Sequence, residues 1–249
     1  MKKKERQKQI VHKVMLNRKV TSLELSLSLN VSEDTIRRDL NELDAKGMLA
    51  KVHGGAVSTI QRLYHYNEDA VFNKDKKKSI ALKALTLLED GMVIIMSGGT
   101  TNLMFARIIP KHLNATVYTY SIQIAMQLSE HPNIEIILIG GRIQKKSMVT
   151  LGIDVYKVLA NIHADICFVG ASGITPNQGI TDEGYEIAQI KQQMIYSSDK
   201  VVSLITSNKL NVRHNYSVCP LSEIDVIVTD LENNNIDISE YINAGIKIL

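Results

Sequence analysis

Two adjacent arginines, Arg37 and Arg38, lie in a segment whose other residues predict a short helix. Ser32 is a favourable capping residue, and the two acidic residues that follow it suit the positive end of a helix. Apolar residues at i, i+4 and i+7 form an inward stripe, which consists of Ile36, Leu40 and Leu43. The two arginines and Thr35 are therefore expected on the outer face. Exposed guanidinium groups on a narrow, rigid helix suit the phosphates and base edges of double-stranded DNA.

A small basic hairpin is predicted directly after this helix. Gly47 is expected to end the helix, and residues 48–57 carry apolar positions that are broken at Gly54. That pattern is typical of two short strands joined by a tight turn. Lys51 and His53 lie between the apolar positions, and we expect Lys51 to hold a phosphate of the DNA backbone.

Two further helices are predicted upstream. Residues 6–17 place Ile10, Val14 and Leu16 on an inward face, and Thr21 caps the helix that follows. The order helix, helix, turn, helix and hairpin within sixty residues is typical of a winged helix-turn-helix domain. The alternative is a small three-helix domain whose arginines are merely solvated. The DNA-binding residues predicted on the first interpretation are Ser32, Thr35, Arg37, Arg38, Lys51, His53 and Gly54.

The positive charge of the chain is concentrated in this same part. Residues 1–53 carry twelve Lys or Arg and seven Asp or Glu, a difference of +5. The whole chain of 249 residues has a net charge of +3, so residues 54–249 sum to −2. A localised excess of cations is what a polyanion would bind.

The bulk composition is ordinary for a soluble globular protein and allows one large or two modest domains. Cys167 and Cys219 lie far apart, which indicates neither a disulfide framework nor paired zinc ligands. We interpret them as reduced thiols of a cytoplasmic protein. The basic residues 1–4 are not followed by an apolar stretch, so no signal peptide is predicted, and the apolar runs are too short to span a bilayer. We expect no cofactor and no metal site.

The rest of the chain predicts a second domain. We divide the chain into a winged helix-turn-helix domain at 1–57, a linker at 58–73, and an effector-binding and oligomerisation domain at 74–249. A helix to about residue 88 opens with a lysine run, interpreted as a solvated first turn. Continuous apolar strands then alternate with helices, which favours a doubly wound parallel sheet of the α/β class covered on both faces. The predicted strands are 92–96, 116–120, 134–140, 165–170, 201–206 and 225–230.

Small and polar residues cluster after these strands. Ligands of open parallel sheets bind beyond the carboxyl ends of the strands. Gly98, Gly99, Thr100 and Thr101 precede a helix, so their amides and hydroxyls can point at an anion. Arg142 and Lys209 add cations after two other strands, Arg142 directly after a glycine pair. Glycines after strands often only make turns, but three convergent loops favour a pocket for a phosphorylated small molecule. The GGTT loop matches neither a P-loop nor a dinucleotide motif.

Over nearly its full length the sequence resembles the DeoR-type bacterial transcriptional regulators. The resemblance is carried by VSEDTIRRDLNEL, KVHGGA, GGTTN, LIGGR, DICFVG followed by ASGI, GITDE, EIAQIK and SNK. It implies a winged helix-turn-helix domain joined to a domain similar to ribose-5-phosphate isomerase. It also implies a sugar phosphate that alters operator affinity, repression of a carbohydrate operon, and a homodimer or homotetramer.

The resemblance also implies which positions act. Thr35, Arg37 and Arg38 match the recognition helix, and Lys51 and His53 match the wing. The predicted effector-binding residues are Gly98, Gly99, Thr100, Thr101, Asn102, Ser121, Gly140, Gly141, Arg142, Gly170 and Lys209.

Five positions depart from the family pattern. Ser97 and Thr206 stand where the family usually has acidic residues, and Tyr120 replaces an asparagine. Asp69 and Lys76 stand where an arginine and a glutamate are usual. The last pair suggests an ion pair of reversed polarity, which a double-mutant cycle would test.

Three classes of function remain open at this point. The favoured one is a sequence-specific DNA-binding regulator. The alternative is a sugar-phosphate isomerase with a DNA-binding appendage, which would need a carboxylate base near the substrate. The candidate acids are Asp165, Asp182, Glu183 and Glu186. A purely architectural DNA binder would seldom carry an α/β domain of this size.

Overall fold

A computed structural model of the chain describes residues 3–17, 19–46, 48–57, 73–232 and 235–249. The chain forms two compact units, Met1–Phe72 and Asn73–Leu249. Three sequence predictions fall outside the described residues: the helix stop at Gly47, the inward side chain of Leu16 and the ion pair of Asp69. Most of the predicted linker, residues 58–72, also lies outside them.

The first unit has the predicted order of helices and hairpin. Its described elements are α1 (Lys3–Asn17), β1 (Lys19–Thr21), α2 (Ser22–Leu29), α3 (Glu33–Ala45), β2 (Ala50–Val52) and β3 (Gly55–Val57). The inward stripe of α3 is confirmed, because Ile36, Leu40 and Leu43 are buried against Ile10 and Val14 of α1 in one apolar core.

Both predicted helix caps are confirmed. The Thr21 side chain accepts a hydrogen bond from the Glu24 amide, and the Glu24 carboxylate accepts one from the Thr21 amide, which is a capping box. Asn30 ends α2 in the left-handed conformation with φ of 51°. The Ser32 side chain accepts from the Thr35 amide and begins α3. These short polar contacts set the turn between the two helices.

Strand β1 was not predicted. It pairs antiparallel with β3, which gives the strand order β1-β3-β2. A side chain at Gly55 would place its Cβ 2.0 Å from the Val20 carbonyl oxygen, so the close approach of the two strands requires glycine there. A strand of three residues carries no periodic signal in the sequence, and its partner β3 lies far along the chain.

The second unit contains a seven-stranded parallel sheet with the order β15-β14-β12-β9-β4-β5-β6. The strands are β4 (Val93–Met96), β5 (Ala115–Thr119), β6 (Ile134–Leu138), β9 (Ile166–Gly170), β12 (Val201–Leu204), β14 (Val226–Val228) and β15 (Lys247–Ile248). From β4 the chain adds strands first in one direction, to β5 and β6, and then in the other, through β9. The reversal confirms the doubly wound α/β prediction and puts the switch point between β4 and β9.

The helices of this unit form two packed rows: α4 contacts α5 and α5 contacts α6, whereas α7 contacts α8. They are α4 (Lys74–Ala84), α5 (Thr100–Ile108), α6 (Ile122–Leu128), α7 (Ile153–Leu159), α8 (Tyr185–Tyr196) and α9 (Ser239–Asn243). The helix predicted to about residue 88 is shorter, because α4 passes into a 3₁₀ turn over Leu85–Leu87.

Two small antiparallel sheets were not predicted. One pairs β7 (Arg142–Gln144) with β8 (Val149–Leu151), and the other has the order β10-β11-β13. The latter strands are β10 (Gly173–Thr175), β11 (Gly179–Asp182) and β13 (Tyr216–Cys219). Both sheets follow the strand ends of the large sheet. Among the described residues, every helix is too short or too polar to cross a membrane.

Candidate functional site

The outer face of α3 carries the predicted DNA-binding residues. Arg37 and Arg38 are exposed, and the Arg38 guanidinium lies 2.7 Å from the Asp34 carboxylate one turn earlier. Ser32 and Thr35 bond to each other through their hydroxyl groups at 2.9 Å. The arrangement leaves both guanidinium groups in solvent at the start of a capped helix, where a major groove would be contacted.

A buried ion pair anchors this helix to α1. Asp39 is 1% exposed, and its carboxylate accepts hydrogen bonds from Arg6 Nε at 2.5 Å and Gln7 Nε2 at 3.1 Å. Sequence reasoning missed this contact. The signal was available, because Asp39 lies three residues after Ile36 on the inward stripe, and a carboxylate there requires a partner.

The wing is held against α3. Lys51 donates from its backbone amide to Asp44 at 3.1 Å and from Nζ to Asn41 at 2.7 Å. His53 is exposed in the turn between β2 and β3, and Gly54 has φ of 78°, which favours glycine. The hairpin prediction is therefore confirmed, with β2 beginning at Ala50 rather than near residue 48.

The predicted effector loops follow five neighbouring strands, β12, β9, β4, β5 and β6, at the same edge of the parallel sheet. At the switch point the Ser97 hydroxyl accepts from the Gly170 amide at 2.8 Å and from Asn102 Nδ2 at 2.9 Å. Asn102 Nδ2 also bonds the Phe168 carbonyl at 3.0 Å. These bonds join the ends of β4 and β9, whereas the buried Oδ1 of Asn102 has no hydrogen-bond partner among the described residues.

The predicted phosphate loop begins α5. Gly99 is the N-cap with φ of 125° and offers no side-chain cap to the first turn. Thr100 is half-buried and Thr101 is buried in that turn. Gly98 packs so tightly that a Cβ there would lie 2.7 Å from Val149 Cγ1. Glycine at these two positions keeps the amide end of α5 open to an anion.

The loops after β5 and β6 are mainly structural in this conformation. Ser121 is buried and caps α6 by accepting from the Ile124 amide. A Cβ at Gly141 would lie 2.6 Å from the Leu151 carbonyl, so this glycine lets the β7–β8 hairpin approach. Arg142 is 62% exposed and pairs with Glu186 at 2.6 Å. A Cβ added at the neighbouring Gly140 would have no atom within 4 Å.

Three lysines interact near the end of β12. Lys209 donates from Nζ to the Ala171 carbonyl at 2.7 Å. Burial lowers the pKa of Lys209 to about 8, with further lowering from the charges of Lys191 and Lys77 and partial compensation by nearby acidic residues. Lys191 forms a buried ion pair with Asp182 at 2.6 Å. Burial also lowers the pKa of Lys77. Positive charge is thus held out of water beside the switch point.

The lysine run that opens α4 was interpreted as a solvated first turn, and this interpretation is wrong for Lys77. Lys77 is 9% exposed. Lys76 bonds Ser207 Oγ at 2.7 Å and lies 3.1 Å from the Asp230 carboxylate. Lys74, Lys76 and Lys78 are exposed, as expected. The packing of α4 against β12 and β14 decides which lysine is buried. Nothing in the lysine run itself predicts which one that is.

The three positions that depart from the family pattern within the strand-end loops are all buried, at 0% for Ser97, 1% for Tyr120 and 2% for Thr206. Tyr120 belongs to the main apolar core of the unit. The larger side chain at position 120 therefore fills core space beneath the loops.

Each acidic residue of the enzyme alternative already has a hydrogen-bond or ionic partner. Asp165 precedes β9 and accepts from the Val93 amide at 2.7 Å, so it lies at the amino end of the sheet, opposite the loops. Burial alone would raise the pKa of Asp182, but Lys191 and neighbouring donors outweigh it, so the pKa is lowered. Glu186 pairs with Arg142, and Glu183 lies 3.9 Å from His214 Nδ1.

Neither of two surface cavities includes a predicted effector residue. One, of about 310 Å³, contacts Lys83 and Leu249, and the other, of about 280 Å³, contacts Thr181 and Arg213. In the described parts of the chain no three His, Cys, Asp or Glu side chains are grouped to hold a metal ion. Cys167 and Cys219 are buried free thiols, and burial raises both pKa values to about 12.

Two family models cover most of the chain. Residues 6–62 match the DeoR-like helix-turn-helix domain, and residues 72–231 match the DeoR C terminal sensor domain. The chain belongs to the DeoR family. This DeoR-family protein is therefore a DNA-binding transcriptional regulator with a sensor domain.

The DeoR-family relatives are similar along their whole length. The HTH-type transcriptional regulator GolR of Listeria innocua is 34% identical over 98% of this chain and 97% of its own. The HTH-type transcriptional repressor GlcR of Bacillus subtilis is 31% identical over 93% and 90%. Ribose 5-phosphate isomerase A of Methanocaldococcus jannaschii is a solved structure with 21% identity, a TM-score of 0.42 and 55% of each chain covered.

Proposed function

We propose that this regulator binds an operator through α3 and the wing and that a phosphorylated sugar bound at the strand ends changes its operator affinity. The DNA contacts are assigned to the exposed groups of α3, with Arg37 and Arg38 as the principal cations. Lys51, His53 and the backbone at Gly54 are assigned to phosphates next to the groove.

The effector proposal is carried by one observation: the half-buried Lys209 ammonium is held at the Ala171 carbonyl among the strand-end loops, where burial lowers its pKa. A partly desolvated cation gains more from an anionic partner than a solvated one does. The open amide end of α5 supplies hydrogen-bond donors at the same edge of the sheet. A sugar phosphate suits this combination, because its phosphate needs cations and amides while its hydroxyls suit acceptors such as the Asn102 Oδ1 atom.

The relatives support the direction of the effect. GlcR and a putative aga operon transcriptional repressor of Escherichia coli O157:H7 are both named as repressors. We assign the same role here, repression of a carbohydrate operon by a homodimer or homotetramer in the cytoplasm. An effector would release the operator by binding the DNA-free arrangement more tightly than the DNA-bound one.

The test is a gel-shift of the purified full chain on DNA from upstream of its own gene and its neighbours. Ribose 5-phosphate, glucose 6-phosphate, fructose 6-phosphate and inorganic phosphate are added separately at physiological salt with competitor DNA. We expect specific binding that one sugar phosphate weakens. Specific binding that is indifferent to every compound would contradict the effector half of the proposal, and absence of specific binding would contradict the DNA half.

A further inference from the structure

The first turn of α4 is bonded to the loop that follows β12. Asn73 Nδ2 donates to Asn208 Oδ1 at 3.2 Å, and Lys76 Nζ donates to Ser207 Oγ at 2.7 Å. These residues are separated by 135 and 131 positions in the chain. Tertiary structure therefore brings the start of the second unit onto a loop that the effector proposal already uses.

Asp230, after β14, joins both sides of this contact. Its side chain is 6% exposed, lies 3.1 Å from Lys76 Nζ, and accepts from the Ser207 amide at 2.7 Å and the Ser207 hydroxyl at 2.8 Å. Burial opposes ionisation of Asp230, but the Ser207 and Lys76 donors outweigh it, so its pKa is lowered. The carboxylate is thus a charged acceptor with several donors aimed at it.

The same short loop carries Lys209. Residues 207–209 form a 3₁₀ turn in which the Lys209 amide donates to the Thr206 carbonyl at 2.9 Å and the Leu210 amide to the Ser207 carbonyl at 3.1 Å. A turn of three residues has little freedom to deform internally. A ligand that binds Lys209 Nζ therefore acts on the same short turn that carries Ser207.

Residue 73 directly follows the end of the first unit, so the chain leaving the DNA-binding unit enters the sensor unit through this first turn of α4. We propose that Asn73, Lys76, Ser207, Asn208 and Asp230, the entry clamp, pass the effector state of Lys209 to the DNA-binding unit. The inference rests on the proposed function for its ligand. Lys76 acts here as a positioning residue and does not contact the effector.

The clamp provides the differential contact that any coupling between two sites requires. With Lys209 bonded to Ala171, the loop is held where Ser207 meets both Lys76 and Asp230. An effector that binds Lys209 and shifts this turn weakens the bonds of Ser207 to Lys76 and Asp230. The start of α4, and with it the attachment of the DNA-binding unit, then loses its support on the sheet.

The experiment compares full-length wild type with Lys76→Met, using Lys78→Met as the matched control, because Lys78 is an exposed lysine on the same helix. Operator affinity is measured without effector and with the sugar phosphates of the panel above, and sugar-phosphate affinity is measured separately by calorimetry. We expect Lys76→Met to change effector-free operator affinity by about fivefold or more. It should bind the sugar phosphate as wild type does, within twofold, while the effect of the sugar phosphate on operator affinity disappears.

Two outcomes would overturn the entry clamp: wild-type operator affinity and wild-type response in Lys76→Met, or loss of sugar-phosphate affinity in that variant. The effector-free measurement stands by itself. If wild type responds to no compound, the proposed effector function fails, but a fivefold change in Lys76→Met against an unchanged Lys78→Met still supports the clamp.

A conservative variant and a double-mutant cycle distinguish loss of the clamp from a general loss of folding. Lys76→Arg keeps the cation and should restore both the operator affinity and the response. Lys76→Met and Asp230→Asn should be non-additive in operator affinity, since each removes the same contact. Additive effects, or failure of Lys76→Arg to restore the response in a protein with wild-type circular dichroism, would count against the clamp.

Discussion

The cations assigned to the two anions differ in their exposure. On α3, Arg37 and Arg38 lie in solvent, and the ion pair of Arg38 with Asp34 is between side chains that are both more than two-thirds exposed. Near the end of β12, Lys191 is buried and Lys209 is half-buried with a pKa lowered to about 8.

This difference in exposure matches the two kinds of anion that the units are proposed to bind. A DNA backbone presents many phosphates along a surface, and solvated cations bind it by releasing counterions, at no cost to the fold. A small phosphorylated molecule offers one or two charges, so affinity for it requires cations that are already desolvated and held in place. The sensor unit bears that electrostatic cost in its own stability.

Breaking the buried ion pair of the sensor unit should have the largest effect. Lys191→Met leaves the Asp182 carboxylate, 4% exposed, without its cation at 2.6 Å. We expect the free energy of unfolding of the sensor unit to fall by about 3–5 kcal/mol, measured by urea titration. Adding Asp182→Asn should restore part of the loss. A change below about 1 kcal/mol would show that the pair is effectively solvated and that the two units do not differ as described.

Removing the exposed cations of α3 should instead leave stability unchanged and weaken DNA binding. Replacement of Arg37 and Arg38 by alanine is expected to cost about 2–4 kcal/mol in operator binding and to flatten its dependence on salt. Lys145→Ala with Lys146→Ala is the matched control, since it removes two adjacent exposed cations from the sensor unit. Equal operator affinities and salt slopes for the two double variants would refute the assignment of α3.

Lys209 should make stability depend on pH. Its folded pKa of about 8 lies below the ordinary value of 10.5, so the folded state disfavours the charged form. Below pH 8 Lys209 is protonated in both the folded and the unfolded protein, so the full free-energy cost of burying its charge is present. Between pH 8 and 10.5 Lys209 loses its proton in the folded protein while it stays protonated in the unfolded protein, so the cost of burying the charge is removed.

The expected gain in the free energy of unfolding over that range is about 1–3 kcal/mol. Lys209→Met should lack this pH dependence and be more stable than wild type at pH 7. Identical pH profiles for wild type and Lys209→Met would mean that Lys209 is as solvated as the arginines of α3.

The smallest effect is expected at the surface pair of the first unit. Asp34→Ala removes the partner of Arg38, and for an exposed pair at i, i+4 we expect a loss of about 0.5 kcal/mol or less. Thermal unfolding measures it, and operator binding should not weaken, because the freed Arg38 remains available to DNA. A loss of more than about 1 kcal/mol would place this pair in the same class as the buried one.

Local signals in the sequence were sufficient for the helices and the hairpin of the first unit. The caps at Thr21 and Ser32, the stripe of α3 and the hairpin turn each depend on residues within a few positions of one another. The parallel strands of the second unit were also predicted, because continuous apolar runs separated by helices have few alternative arrangements. The short antiparallel strands were missed because strands of three or four residues give no periodic signal, even where they form local hairpins, as β7–β8 and β10–β11 do.

The sequence by itself determined the family, the order of the elements and the exposed cations of α3, because each is written in contiguous residues. The tertiary structure decided which cations lose their water. Lys77 and Lys78 are adjacent in one lysine run, yet Lys77 is 9% exposed and Lys78 remains in solvent. Desolvation depends on every atom packed around a charge, and those atoms come from distant strands.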